Sequence, residues 1–522
     1  MPLARRLHRV FLLGALALTP VLGAPAIATA APVEWLPVQS PFYDELQIVR
    51  TEGLLDTTAS LEARPMSRVE VAKLVAFALT HHPDQANNAG LVRLRREFSR
   101  ELVPLGFEAD PRYTPPLLEI KGEHREAFRA IPYLDAAFEH RTNGKSRLAD
   151  HSRIGGRFGL EFGDVLLYQD LFAGRVDGAR AYADPIVQHT DFVLYTEDTY
   201  LSAHTPWIDL SLGRTRSGWG PGHEGTLLWS PTAPPVTSLI WEASLFGGHV
   251  RGTALHGDVD ASTGERVAAH RLDFEVSPRL HFGLSEAARY RSSTWEPLYV
   301  ISVIPFTLVQ RMLVQDAGNV DSLARNNVMV AGDARWRLAR GTTLYGEVLF
   351  DDLTFKTSGT PVRMGYQAGW LGAGTVFGRR VSWRAEYSRV YRFVYAVYYG
   401  RNFIHQGAAI GYPEGPDSRD LVARGSLDLD AAWRLAAAGG RVDHGEGFLG
   451  EYFDPNGPPQ QGSVLSGVVE KTRFVETGAQ WTPRDGVAAN LLWGYQWQSD
   501  ADHVSGFDRE SWYGRAGISL RH

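Results

Sequence analysis

The stretch from Gly213 to Ser230, GRTRSGWGPGHEGTLLWS, concentrates side chains able to hold a sugar. Saccharide binding calls for a flat apolar surface against the C–H face of the ring, with planar donors and acceptors around it for hydroxyls and carboxylates. Arg214, Arg216, Trp219, His223, Glu224 and Trp229 supply both kinds of group. The glycines between them permit backbone geometries closed to other residues, so the stretch reads as a shaped loop. Loops on rigid scaffolds are where binding concentrates. The same residues serve equally well in a loop that folds inward and packs, where Trp219 and the glycines are needed for shape alone. Both readings stay open.

Two other segments mix aromatics with arginine, the combination that suits an acidic polysaccharide. One carries Arg291, Trp295, Tyr299 and Arg311; the other carries Tyr395, Tyr398, Tyr399, Arg401 and Phe403. The run from Tyr395 to Tyr399 lies close to a strand end, and an interfacial aromatic girdle is its preferred reading. The expected polymer contacts are Arg214, Trp219, His223, Glu224, Arg291, Trp295 and Tyr299. A separate set, Arg335, Arg337, Glu347, Asp351, Arg384 and Glu386, falls on the polar side of alternating strands. Charges of both signs in a narrow interior pair to stiffen a wall and seat a plug; a charged constriction is the functional alternative.

Catalysis finds little support. The chain has no cysteine, its 17 histidines are scattered, and it contains neither HExxH nor GxSxG. Asp258 with Asp260, and Asp454 with Asn456, read as turns, since neither pair matches an ordered calcium loop. The chain therefore reads as a non-enzyme without metal or cofactor. Its formal net charge of -6 argues against nucleic acid as a partner.

Two kinds of element must position these groups. After an export leader over residues 1–30, with Arg5, Arg6 and Arg9 ahead of an apolar run, residues 31–115 read as a helical bundle. Tyr43, Leu46, Val49 and Leu54 keep helical spacing, Ser67 and Glu70 form a capping box, and a third helix carries Leu91, Leu94, Phe98 and Leu102. Arg93, Arg95, Arg96 and Arg100 on its other side read as a solvated face, with a grip on an acidic rim as the alternative.

From about Ala130 onward the period becomes two. Arg271, Asp273 and Glu275 alternate with Leu272, Phe274 and Val276; Leu491, Trp493, Tyr495 and Trp497 form an aromatic row. Short turns, as at 277–279 and 339–341, alternate with longer connections, among them 215–236, 257–267, 291–325, 393–418 and 444–469. That pattern predicts a mainly β, transmembrane antiparallel barrel of about 18 strands over 116–522, with tight turns at one end and long loops at the other.

Several blocks, in order, resemble the Wzi family of capsule-assembly outer-membrane proteins. The strongest is Trp219, Gly220, Pro221 and Gly222, followed in step by Gly225, Leu227 and Ser230. Asn327 and Asp333 follow, then Leu344 to Glu347 with Asp351 and Asp352. Glu386, Tyr387, Arg389 and Tyr391 come next, and Gly415 to Ser418 last. Where the family shows Asn, Ala, Arg and Pro after the first block, Thr232, Ala233, Pro234 and Pro235 keep only the Ala and the final Pro. The resemblance implies a barrel of eighteen strands with a helical bundle on its periplasmic side. It also implies a lectin that holds capsular or other extracellular polysaccharide at the cell surface. Outer-membrane lipid and other export components are the further partners it implies, and a passive or saccharide-selective channel is the alternative function.

Overall fold

The structure is a computed structural model and describes residues 33–522, apart from 56–57, 124, 143–146, 150–151, 176–191, 317–325, 352–360, 398–399 and 454–461. The leader, Asp352, Tyr398, Tyr399, Asp454 and Asn456 lie outside the described residues.

Eighteen antiparallel strands close into a barrel. In chain order they are β1 Glu126–Arg141, β2 Arg153–Phe162, β3 Val165–Arg175, β4 Phe192–His204, β5 Asp209–Thr215 and β6 Val236–Leu245. Then come β7 Val250–Asp260, β8 Glu265–Ser277, β9 Leu280–Arg291, β10 Asn327–Ala339, β11 Thr342–Asp351 and β12 Met364–Val376. The last six are β13 Arg379–Val390, β14 Ser418–Asp428, β15 Trp433–His444, β16 Glu470–Arg484, β17 Val487–Ser499 and β18 Arg509–Arg521. Pairing of β18 with β1, from Tyr513 opposite Arg141 to Arg521 opposite Tyr133, closes the cylinder.

Exposure decides what surrounds it. Leu272, Phe274 and Val276 are 43, 38 and 59% exposed, whereas Arg271, Asp273 and Glu275 between them are 1, 1 and 2% exposed. Charge inside and bare hydrocarbon outside is the reverse of a water-soluble sandwich and matches a lipid-facing wall.

Tight turns join β2 to β3, β8 to β9, β10 to β11, β12 to β13 and β16 to β17 at one end. Long connections follow β5, β9, β13 and β15 at the other. The predicted longer connection at 257–267 is instead a tight turn between Asp260 and Glu265. The Asp260 carboxylate accepts from the Ser262 backbone N–H and hydroxyl, which lets both strands run further.

The N-terminal segment sits in the short-turn mouth. Helices α1 Phe42–Thr51, α2 Arg68–His81, α3 Ala89–Glu97 and α4 Ser99–Leu102 share a core that includes Leu46, Val49, Val75, Leu94 and Phe98. Ser67 caps α2 by accepting from the Glu70 N–H at 3.0 Å. Two expectations change here. Leu54 lies beyond α1 though still in the core, and the third helix breaks at Phe98, whose φ of -98° and ψ of 20° are non-helical.

The arginine face is also corrected. Arg93 reaches Glu45 and, on β14, Asp428; Arg96 donates to the Thr482 carbonyl of β16; Arg100 bonds Glu34. Arg93 and Arg96 thus grip the rim, where the barrel mouth supplies a carboxylate and a carbonyl at their height, whereas Arg95 and Arg100 pair within the N-terminal segment, with Asp110 and Glu34. Contact of Ile48 with Tyr345, Leu371 and Ala373 seats α1 against the inner wall.

Candidate functional site

The glycine-rich stretch divides in two. Gly213, Arg214 and Thr215 complete β5, and the loop proper turns into the lumen. There Gly218 and Trp219 pair with Arg64 and Ala63 as a two-residue ladder, and the Gly220 N–H donates to the Glu62 carbonyl at 2.8 Å. Gly220 has a φ of 124°, which favours glycine, and a Cβ on Gly222 would collide with the Gly225 carbonyl and the Gln367 amide. Trp219 is 2% exposed, its ring 5.8 Å from Trp229, which packs edge-on to Phe403. The 391–417 connection joins this core from above: Tyr395 is fully buried, and its hydroxyl donates to the Leu227 carbonyl at 2.6 Å. Three separate segments thus form one plug.

The wall holds that plug by its backbone. Both oxygens of Glu386 accept at 2.9 Å, one from the His223 N–H and the other from Glu224. Glu347 takes the Leu227 and Leu228 N–H groups at 3.1 and 3.3 Å, and Asp351 takes the Tyr395 N–H at 2.6 Å. Acidic acceptors so placed satisfy loop N–H groups that no sheet partner reaches. The wall arginines reach the N-terminal segment: Arg335 bonds Glu62 at 2.6 Å, Arg384 bonds Asp44 at 2.7 Å, and Arg337 donates to the Arg50 carbonyl at 3.3 Å. The predicted lumen set therefore faces inward, but its members bond the plug rather than one another, since the plug fills the space between facing walls.

Around Glu62 the charges form a dry cluster. Glu275 lies 3.3 Å from Arg335, His281 lies 3.2 Å from Glu275, and Arg271 is shared by Asp273 and Asp333. Burial would raise the Glu62 carboxyl, but Arg335, His281 and Arg50 outweigh it and hold the group well below the usual carboxylate range. Among the described residues, Glu62, Glu275 and His281 are the one set whose ligand atoms come within 4.8 Å of one another. Arg335 and Arg50 already occupy those carboxylates, so the set is an ion-pair lock rather than a cation cage.

The remaining expected contacts scatter. His223 is exposed and Glu224 bonds Arg424 at 2.6 Å, both on the lumen side of the plug. Arg214 is half-buried and donates to the Tyr195 hydroxyl at 2.5 Å. Arg291 is exposed at the rim and donates to the Thr263 carbonyl. Trp295 stacks near His256 and bonds Asp258, and Tyr299 is fully buried against Tyr290. Tyr299 cannot touch a polymer, and Tyr395 is no girdle residue; each fills an interior that only the folded chain creates. Sequence reasoning missed the set that does stay open at the long-loop end: Arg419, Arg441, Lys471, Phe507 and Arg509. The Arg509 guanidinium sits 5.4 Å from the Phe507 ring centre, the same aromatic and arginine signal sought elsewhere, here in the connection between β17 and β18.

The profile of the capsule assembly protein Wzi family matches residues 134–511. The chain belongs to that family. Among solved structures, Wzi of Escherichia coli superimposes with a TM-score of 0.62 at 14% identity, over 94% of this chain and 99% of that one. It is described as an outer-membrane protein involved in group 1 capsule assembly and a carbohydrate-binding β-barrel. OprD of Pseudomonas aeruginosa reaches a TM-score of 0.41 at 10% identity, over 76% of this chain and 95% of that one. DcaP, an outer-membrane channel of Acinetobacter baumannii, reaches 0.38 at 11% identity, over 78% and 100%. No curated protein matches. The chain is thus an outer-membrane barrel of the Wzi family, and the blocks that resemble the family have a common task within it. Beyond the plug contacts above, Asn327 donates to the Arg401 carbonyl, and buried Asp417 accepts from Gly447 and Ser466 to fix the loop after β15. They set architecture.

One pH dependence follows from the bundle of this Wzi-family chain. Burial opposes ionisation of Glu97, but Arg521 and Arg68 overcome it and bring the group down to about 2. Glu45 is likewise held well below its ordinary value by Arg380, Arg93 and Arg434 against burial. A depressed carboxyl stabilises the fold above its unfolded value of 4.5 and loses that contribution as pH falls through the folded value. The thermal midpoint of the helical circular-dichroism signal should hold from neutral pH to about 4.5 and drop between there and about 2. A midpoint flat through that window would show that these pairs do not hold the bundle.

Proposed function

We propose that this protein holds capsular or other extracellular polysaccharide at the cell surface as a lectin, without catalysis. The observation that carries the reading is what remains once the plug has taken up the wall charges and the signature loop. At the long-loop end, Arg419 and Arg441 share Asp443, Lys471 pairs with Asp500 and Arg509 with Asp502, yet all four keep 38 to 44% of their side-chain surface open, and Arg509 lies against Phe507, which is 46% exposed. Arg419 and Lys471, with Ser463, Asp500 and Ser505, line an open depression of about 650 Å³. Cations with an aromatic face suit an acidic polymer. The description of the Escherichia coli relative as carbohydrate-binding supports the same assignment.

On this reading residues 1–30 are an export leader, 31–115 a periplasmic bundle and 116–522 the barrel. Outer-membrane lipid surrounds it, and other export components deliver the polymer. The test is a binding assay with the producing strain's own polysaccharide. Arg419→Ala with Lys471→Ala should weaken affinity about tenfold or more, equal to about 1.4 kcal/mol or more. Unchanged affinity in that pair and in Arg509→Ala would remove the site, and a deletion strain that keeps its polymer cell-bound would remove the function.

A second reading, a channel for small solutes, has one observation behind it. On the wall from β15 to β18, the lumen-facing Gln480, Asn490 and Arg515 are exposed, whereas the lumen side of β8 to β11 is dry. A cavity of about 200 Å³ along that wall is lined by Asp44, Arg384, Arg434 and Glu476. Steady current through purified protein in a planar bilayer supports conduction; its absence leaves the lectin alone.

A further inference from the structure

The described first part of the connection from β9 to β10, up to residue 316, does not crown the barrel. It carries two helices, α5 Pro297–Ile301 and α6 Phe306–Asp316, that lie against the outside of the wall. Strand register shows this directly. On the outer face of β8 and β9, the paired rows climb from Phe274 with Phe282, through Leu272 with Leu284, to His270 with Glu286, Ala268 with Ala288, and Arg266 with Tyr290. Alternation keeps every one of these residues on the side opposite Arg271 and Asp273. The lower two rows are exposed, whereas Ala268, Ala288 and Tyr290 are buried in one cluster with Tyr299, Phe306 and Val309 of the two helices.

The helices cover polar groups that lipid would not tolerate. His270 pairs with Glu286 at 3.1 Å, Glu286 also accepts the Phe306 N–H at 2.7 Å, and the Phe306 ring packs on His270. His256, 2% exposed, bonds the Tyr290 hydroxyl at 2.5 Å. Bare apolar surface on β8 runs only from Leu272 to Val276, about 13 Å along the strand at about 3.3 Å per residue. On β18, across the barrel, the outward row runs from Trp512 to Leu520, about 26 Å by the same measure. A lipid-facing band is about 25 Å tall, so the wall at β8 and β9 is about half bare and lacks its upper part. The helical strap lies where that part is missing. Its own outer surface is apolar: Ile301, Val303, Leu308 and Met312 are 55, 74, 48 and 41% exposed, and Arg311 is exposed beside Leu308 and Met312 on one side of α6.

We infer that residues 297–313 form a membrane-embedded strap, with Leu308 and Met312 facing the acyl chains of the outer leaflet and completing the lipid-facing band above Leu272 and Leu284. Lipid is the occupant because the strap's apolar surface continues the wall that lipid already covers. Arg311 on the same side meets the phosphates of that leaflet, as arginine does at membrane interfaces. The strap thus separates the upper wall's ionic pairs from hydrocarbon and fixes the height at which the long loops emerge.

The absence of native cysteine allows a direct test in the full-length chain. Nitroxides attached at Leu308→Cys, Met312→Cys and Val303→Cys, in vesicles of lipopolysaccharide and phosphatidylethanolamine, are compared with Leu284→Cys on the bare wall and Ser262→Cys in an exposed turn. The expected ratio of oxygen to nickel-chelate collisions at Leu308→Cys and Met312→Cys matches Leu284→Cys and exceeds Ser262→Cys several-fold. Collision with nickel chelate at the level of Ser262→Cys overturns the inference. So does protection from both reagents, which would assign the surface to a second protein. Heat-modifiable migration of each labelled variant verifies that the barrel has closed.

Discussion

Arg335→Ala should unseat the plug. The substitution leaves Glu62, 0% exposed, and Glu275, 2% exposed, facing one another with Arg50 at 3.9 Å from Glu275 as the nearest remaining arginine. Breaking a buried pair by removing one partner costs about 3–5 kcal/mol, and the lower part of that range applies here, because His281 at 3.2 Å and Arg50 at 3.9 Å from Glu275 still offset part of the stranded charge. Glu62 belongs to the N-terminal segment and Arg335 to β10, so the loss falls on the joint between plug and wall and spares the strand ladder. The expected result is a lower denaturation midpoint for the helical signal, new protease cleavage near residues 60–66, and a barrel that still migrates as a closed species. Arg335→Lys should fall between, since an ammonium keeps the charge but cannot fork to Glu62 and Glu275 together. Adding Glu62→Gln to Arg335→Ala should recover part of the loss by removing one stranded charge, and that non-additivity distinguishes an ion-pair lock from simple packing. Three variants indistinguishable from the parent would mean that the cluster holds nothing.

How far the sequence carried this picture depends on the range of the interaction involved. Alternation from Arg271 to Val276 is local, and the strands and their inward and outward faces were legible from it. The barrel end that bears the long loops was legible from connection lengths, with the exception of Asp260, whose own carboxylate tightens its turn. The inward orientation of Glu347 and Glu386 followed from parity; what they bind did not. Their partners are backbone N–H groups more than a hundred residues away. Tyr395 and Tyr299 misled for a related reason: an aromatic residue near a strand end looks the same in sequence whether it meets lipid, sugar or a plug. One neglected signal was present. His270, Glu286 and Arg266 interrupt an outer row that is apolar from Leu272 to Val276, and in a lipid-facing wall such an interruption requires a covering element.

Trp219→Ala addresses the double reading of the signature loop. Its ring packs into the cluster with Trp229, Leu228 and Ala63, and nothing in the plug can move far to refill the space, since Gly222 and Gly225 already abut Gln367 and Pro413. Truncating a buried aromatic to alanine costs about 3–5 kcal/mol, the upper part of that range applying where the site cannot collapse. The expected outcome is a large fall in plug stability, with the affinity of the folded fraction for the producing strain's polysaccharide within about twofold of the parent, a difference below about 0.5 kcal/mol. Phe507→Ala should show the opposite pattern. Its ring is 46% exposed beside Arg509, so stability should change by less than about 0.5 kcal/mol while affinity falls severalfold. Measuring both quantities on both variants separates shape from contact. If Trp219→Ala lost affinity with its stability intact, the signature loop would have to reach the polymer, and its buried position could not be the one that works. A loss of stability without loss of affinity makes the family's most recognisable residues the seat of the plug, and leaves recognition to a rim whose sequence is free to follow the polymer.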